Sequence, residues 1–152
     1  CHGYKKRTKR NEILFGEPGR FYIYLTYGTN YCVNLVTERS NWASGVLLRA
    51  AALPGEAERV AAGPGLLAKR FGLDIAFNNL KATEDNGLWI AQNSLEENMQ
   101  NIVQTTRIGI SEAKDLRLRW YLKSSRSVSK REKGDRNPNK NNYWHPCFSE
   151  GP

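Results

Sequence analysis

The sequence predicts an α+β domain: a mostly antiparallel, curved β-sheet with flanking helices and a protruding β-hairpin. Three observations carry this expectation. Short aromatic and β-branched runs follow one another in the first third of the chain, helical spacing enters only after Pro54, and no regular strand-helix-strand alternation is present. With 152 residues, 39% of them hydrophobic and 25% charged, the composition suffices for one core and not for two.

The elements follow in order. Gly16-Glu17-Pro18-Gly19 marks a turn and leads into residues 20–27, whose aromatic and β-branched side chains suit a half-buried strand. Gly28-Thr29-Asn30 is a tight connection into a second strand at residues 31–37, so the two form a hairpin. A third apolar run, residues 45–51, reads as a strand with Arg49 inside it. Beyond Leu53-Pro54-Gly55, residues 57–62 and 66–72 have helical spacing, the second closed by Gly72. Residues 88–91, 107–110 and 119–122 are apolar runs of strand length. One domain is expected over residues 1–129. Residues 130–152 read as a basic, polar, disordered tail around an aromatic island, Tyr143-Trp144-His145-Pro146-Cys147-Phe148.

Charge and cysteine usage exclude several classes. No apolar run approaches the ~20 residues of a membrane-spanning helix, and a mean hydropathy of −0.64 agrees. Cys1, Cys32 and Cys147 contain no C-x-x-C pair, and His2 and His145 stand at opposite ends, so neither a disulfide framework nor a metal is expected. Without G-x-G-x-x-G or a Walker loop, no nucleotide cofactor is expected either. Lys and Arg number 23 against 15 Asp and Glu, a net charge of +8. Lys5, Lys6, Arg7, Lys9 and Arg10 form one cluster, and Lys123, Arg126, Lys130, Arg131, Lys133, Arg136 and Lys140 populate the last quarter. Such clusters suit a polyanion, because each neutralised phosphate releases a counterion. The first lies directly before the most aromatic stretch.

Strand alternation puts Tyr22, Tyr24 and Thr26 on one face and Phe21, Ile23, Leu25 and Tyr27 on the other. Two phenols on one face either stack on a planar ligand or serve as core aromatics with satisfied hydroxyls. Asn34 and Arg49, polar within apolar runs, require partners. They end either a pocket or an internal hydrogen-bond network.

The ordered motifs carry a resemblance. Arg7-Thr8-Lys9-Arg10-Asn11, then Phe15-Gly16-x-Pro18-Gly19-Arg20-x-Tyr22-x-Tyr24-x-x-Tyr27-Gly28, Cys32-x-Asn34 and Val46-Leu47-Leu48-Arg49-Ala50 resemble the alkyladenine (3-methyladenine) DNA glycosylase family. The likeness continues through Gly63-Pro64-Gly65-x-Leu67, Gly72-Leu73-Asp74, Arg107-Ile108-Gly109-Ile110 and Arg119-Trp120-Tyr121 to about Val128-Ser129.

The resemblance implies base-excision repair by a monofunctional hydrolase. It would flip an alkylated or deaminated purine from duplex DNA and cleave its N-glycosidic bond with an activated water, without metal or cofactor. Carried over by position, His2, Tyr22, Tyr24 and Asn34 surround the extruded base, Asn34 obstructing the exocyclic amine of guanine. Tyr27 fills the gap left in the duplex from the minor groove. Arg49 holds the nucleophilic water, while Arg7, Thr8, Lys9, Arg10, Gly28, Thr29 and Asn30 meet the DNA backbone.

In the family, the Glu that acts as general base precedes the histidine matched by His2. This sequence opens at Cys1-His2 without Met and does not contain it, so an upstream start and weak turnover by the fragment are expected. Glu12 and Glu17, the nearest acids, match no catalytic position. Further expectations are a monomer, double-stranded DNA with damaged purines as partner, no membrane, and an intracellular location: cytoplasmic in a bacterium, nuclear or organellar in a eukaryote. Two competing readings are a non-catalytic lesion binder and a basic module stacking single-stranded bases on surface tyrosines.

Overall fold

The computed structural model describes residues 2–91 and 101–140. Cys1, Cys147, His145 and the aromatic island at 143–148 lie outside the described residues. The α+β class holds: the described residues contain five strands in two antiparallel sheets, one α-helix and three short 3-10 turns.

The first sheet has the order β1-β2-β3. β1 (Phe21–Thr26) pairs with β2 (Asn30–Val36), in register from Phe21 opposite Leu35 to Thr26 opposite Asn30, and β3 (Gly45–Leu47) lies on the far edge of β2. Alternation divides the side chains as expected. Phe21 and Ile23 enter the main core with Val33, Ala61, Leu67, Ala68 and Leu73, while Tyr22 packs on the opposite face with Leu14 and Val36. Burying a side chain such as Phe21 stabilises by about 1.5–3 kcal/mol, so the strand is anchored from both faces. Its outer edge is closed as well: Phe21 N–H donates to Leu80 O at 2.9 Å, Asn79 N–H to Phe21 O at 2.8 Å, and Ile23 N–H to Asn78 Oδ1 at 2.9 Å.

α1 (Pro64–Arg70) begins with Pro64, whose fixed φ suits a first turn, and buries Leu67 and Ala68. It ends in a Schellman motif. Leu73 N–H donates to Ala68 O at 2.8 Å and Gly72 N–H to Lys69 O at 3.3 Å, with Gly72 at a φ of 63° that favours glycine.

Four expected elements differ. The third strand stops at Leu47, so Arg49 stands beyond the sheet rather than in it. Residues 57–62 form i to i+3 turns, Val60 N–H to Ala57 O and Ala62 N–H to Arg59 O, because Gly63-Pro64 closes the segment before a helix can nucleate. Residues 88–91 contribute a single bridge, Leu88 opposite Thr83. Residues 107–110 are loop, turned by Gly109 at a φ of 73°. The strand lies earlier, as β4 (Ile102–Thr105), paired with the expected β5 (Arg119–Leu122).

Beyond β5 the chain folds back. Arg119 Nη1 donates to Lys130 O at 2.7 Å, Arg126 Nη1 to Pro138 O at 2.5 Å, and Asp135 Oδ2 accepts from Tyr121 at 2.5 Å and from Arg131 at 2.7 Å. Contacts therefore cross the domain boundary expected near Ser129.

Candidate functional site

Three rings meet on the outer face of β1. Tyr22 and Tyr24, two residues apart on one strand, have centroids 5.5 Å apart, and the His2 ring stands edge-on to both, 4.5 Å from Tyr24 and 6.0 Å from Tyr22. His2 Nδ1 and the Tyr22 hydroxyl are hydrogen-bonded at 2.9 Å.

A residue outside the expected set puts His2 there. Asn11, 4% exposed, donates through Nδ2 to His2 O at 2.8 Å and to Lys6 O at 2.9 Å, and its Oδ1 accepts from Thr8 N–H at 2.7 Å. This amide gathers residues 2–8 over the sheet. Its only trace in the sequence is a polar residue closing the Arg7–Asn11 motif.

Burial keeps these groups neutral. It lowers the pKa of His2, with Arg10 adding to the effect, and raises that of Tyr22. Burial, helped by the Cys32 thiol, pushes the Tyr24 phenol up to about 12. The His2 shift has a consequence for stability. At pH values above the usual 6.5 the ring is neutral both folded and unfolded. As pH falls below that value the unfolded chain takes up the proton first, and stability drops until the folded pKa is passed. Urea titrations from about pH 7 to pH 5 should therefore show a steeper loss of stability in the parent than in His2→Gln. Parallel curves would contradict the shift.

Asn34 sits opposite Tyr22 in register, and its Nδ2 donates to Tyr22 O at 3.1 Å. Arg49 is half-buried, and Nη2 donates to Ile108 O at 3.3 Å. Burial, then the neighbouring Arg119 cation, hold its pKa below the ordinary arginine value, while its charge is felt at both Tyr24 and Cys32. Arg49 joins no ion pair among the described residues.

Tyr27 stands apart from the cage at the hairpin tip, 94% exposed. Tyr27 and Gly28 have φ values of 48° and 70°, and Thr29 N–H closes the turn on Thr26 O at 3.2 Å. A non-glycine residue in the left-handed region costs roughly 1–2 kcal/mol. The hairpin thus spends stability to project a large aromatic into solvent.

The turn end of the hairpin rests on α1 through Asn30. A Cβ at Gly65 would lie 2.9 Å from Asn30 Cβ and 3.0 Å from its Cγ, too close for either to remain in place. Asn30 in turn donates through Nδ2 to Thr29 Oγ1 at 2.9 Å. Gly65→Ala should destabilise by about 1–3 kcal/mol despite alanine's better helix propensity, and adding Asn30→Gly should recover most of the loss in urea unfolding. A neutral Gly65→Ala would contradict that contact.

The basic cluster divides. Arg7 is turned onto Glu12, Nε to Oε2 at 2.9 Å and Nη2 to Oε1 at 2.5 Å, and lies over the Phe15 ring. Lys9 and Arg10 join no ion pair among the described residues. Lys5, Lys6, Arg10 and Thr8, with Asn11, line a cleft of about 330 Å³ that shares His2 and Tyr22 with the three-ring cluster.

The three rings thus adjoin a cleft lined by Lys5, Lys6 and Arg10. Comparison with known proteins gives the family. Residues 1–126 match the family model described as methylpurine-DNA glycosylase. A protein of Synechococcus sp. (strain JA-3-3Ab) is 41% identical over 85% of this chain and 74% of its own length. Relatives in Carboxydothermus hydrogenoformans, at 39% identity over 86% and 74%, and Methanoculleus marisnigri, at 40% over 86% and 75%, are comparably similar. All three are provisionally named 3-methyladenine DNA glycosylase. The chain belongs to the methylpurine-DNA glycosylase family. No helix among its described residues is long and apolar enough to cross a membrane.

Proposed function

We propose that the chain serves DNA base-excision repair as a monofunctional glycosylase domain, receiving an alkylated or deaminated purine flipped from duplex DNA into the cage of His2, Tyr22 and Tyr24. The observation that carries this reading is the meeting of those three rings beside a cationic cleft. A base inside the stack is out of reach, and extruding it costs a few kcal/mol that new stacking contacts offset. Tyr27 occupies the vacated space, and Lys9, Arg10, Thr8 and the hairpin residues Gly28, Thr29 and Asn30 follow the backbone. Arg7, already engaged by Glu12, orders that segment.

Alkylation leaves many purines cationic, and a cation over a tyrosine face gains about 0.5–2 kcal/mol. Selection is therefore partly electrostatic. Asn34, fixed by its bond to the Tyr22 carbonyl, opposes the exocyclic amine of guanine. In the chemical step the water oxygen bonds to the anomeric carbon as the glycosidic bond breaks and its electron pair leaves with the base. Positive charge builds on the sugar meanwhile. The water's proton goes to a carboxylate, and Arg49 holds that water. The family resemblance puts that carboxylate ahead of the position matched by His2. A positioned base contributes typically 10²–10⁴-fold.

Competition binding tests the cage. Tyr24→Leu should weaken binding to duplex carrying 3-methyladenine, which is cationic and lacks guanine's exocyclic amine, about 2–30-fold more than binding to duplex carrying neutral hypoxanthine. Equal losses would remove the electrostatic part of the reading. Guanine-bearing duplex in the same titration should bind Asn34→Ala better than the parent, and no gain would remove the role of Asn34.

A further inference from the structure

Two guanidinium groups bracket one short stretch of chain. Arg119, in β5, is 5% exposed and donates through Nε to Thr106 O at 2.7 Å and through Nη1 to Lys130 O at 2.7 Å, with the Tyr121 ring centroid 5.5 Å from its Cζ. Two residues beyond Thr106, Ile108 O accepts from Arg49. Arg119 joins no ion pair among the described residues, so its buried charge is satisfied by carbonyl oxygens and a ring. Lysine does not reproduce that arrangement, because only the guanidinium fork reaches two carbonyls in fixed directions.

We propose that Arg119 is a positioning residue for Arg49: by tying Thr106 and Lys130 together, it fixes the Ile108 carbonyl on which the Arg49 guanidinium is aimed. The strand register agrees, since Arg119 lies opposite Thr105 and the pairing delivers Thr106 to its side chain. The Arg119 cation also bears on Arg49 as a like charge that lowers its pKa. Segment 130–138 then belongs to the site's support: Lys130 O is held by Arg119, and Asp135, bonded to Tyr121 and Arg131, keeps the segment on β5. The inference rests on the reading of Arg49 as the residue that holds water, and its test is independent of DNA.

Arginine side-chain NMR on the full 152-residue chain reads the tie directly. A guanidinium bonded to a carbonyl rotates slowly about Cζ–Nη, so the Arg49 Nη groups should give separate signals in the unaltered chain. Arg119→Lys should merge them into one. Arg126→Gln, which removes comparable ties to Glu58 and Pro138 O, should leave them separate. A purely structural Arg119 would make both variants less stable and leave Arg49 unchanged in each. Merged Arg49 signals in the unaltered chain, or separate signals in folded Arg119→Lys, would overturn the proposal. If Arg119→Lys does not fold, Arg119→Gln, which cannot hold both Thr106 O and Lys130 O, should also merge the Arg49 signals; persistence of separate signals there would overturn it equally. No lesion enters these measurements, so a failure of the glycosylase reading, seen as absent lesion preference, is distinguishable from a failure of this tie.

Discussion

Tyr27→Gly should make the folded chain more stable, by about 1 kcal/mol, while abolishing its preference for lesion-bearing duplex. The gain arises because Tyr27 holds a φ of 48°, which glycine adopts freely, and because a side chain 94% exposed contributes almost no burial to lose. Glycine's greater freedom in the unfolded chain takes back a few tenths of a kcal/mol. The loss of function arises because the phenol is the only large group on the hairpin tip able to fill the space of an extruded base. Urea unfolding and competition between abasic-analogue and undamaged duplex read the two effects separately. A variant that is less stable than the parent would contradict the strain, and one that keeps the parental binding ratio would contradict the wedge.

Arg49→Leu is the second substitution expected to separate stability from function. A half-buried guanidinium with one carbonyl partner and a like charge nearby carries a desolvation cost that an aliphatic side chain avoids. Because the group is only half-buried, the gain should be at the low end, about 1 kcal/mol. In a chain extended upstream, the same substitution should slow single-turnover excision by about 10²-fold, since misplacing a reacting group by about 1 Å has that effect. Lesion binding should change little. Unaltered excision by extended Arg49→Leu would remove Arg49 from the water-holding role.

Both residues break a local rule, and such breaks were legible in the sequence. Asn34 and Arg49 stand out as polar residues in apolar runs, and Tyr27 stands out as an aromatic beside a turn glycine. The hairpin was legible because alternation and turn chemistry act over neighbouring residues, which is also why α1 ended where Gly72 foretold. β4 was not legible: its pattern, Ile102-Val103-Gln104-Thr105, carries β-branched residues without an apolar run, and its pairing with β5 spans a loop of 13 residues, 106–118. The early end of β3 after Leu47 was hidden as well, because residues 45–51 read as one continuous run. Arg119 and Asn11 were invisible as functional supports for another reason. Their partners are backbone carbonyls of Thr106, Lys130, His2 and Lys6, and a carbonyl leaves no mark on residue identity.

The most direct test of the account is a parallel measurement of binding and base release on a duplex containing one 1,N6-ethenoadenine, with this chain beside a version extended upstream. The account predicts that both bind the lesion in preference to undamaged duplex and that only the extended version releases the base. If neither prefers the lesion and both bind single strands equally well whatever their damage, the cage does not receive a flipped purine, and a basic module stacking single-stranded bases is the better description.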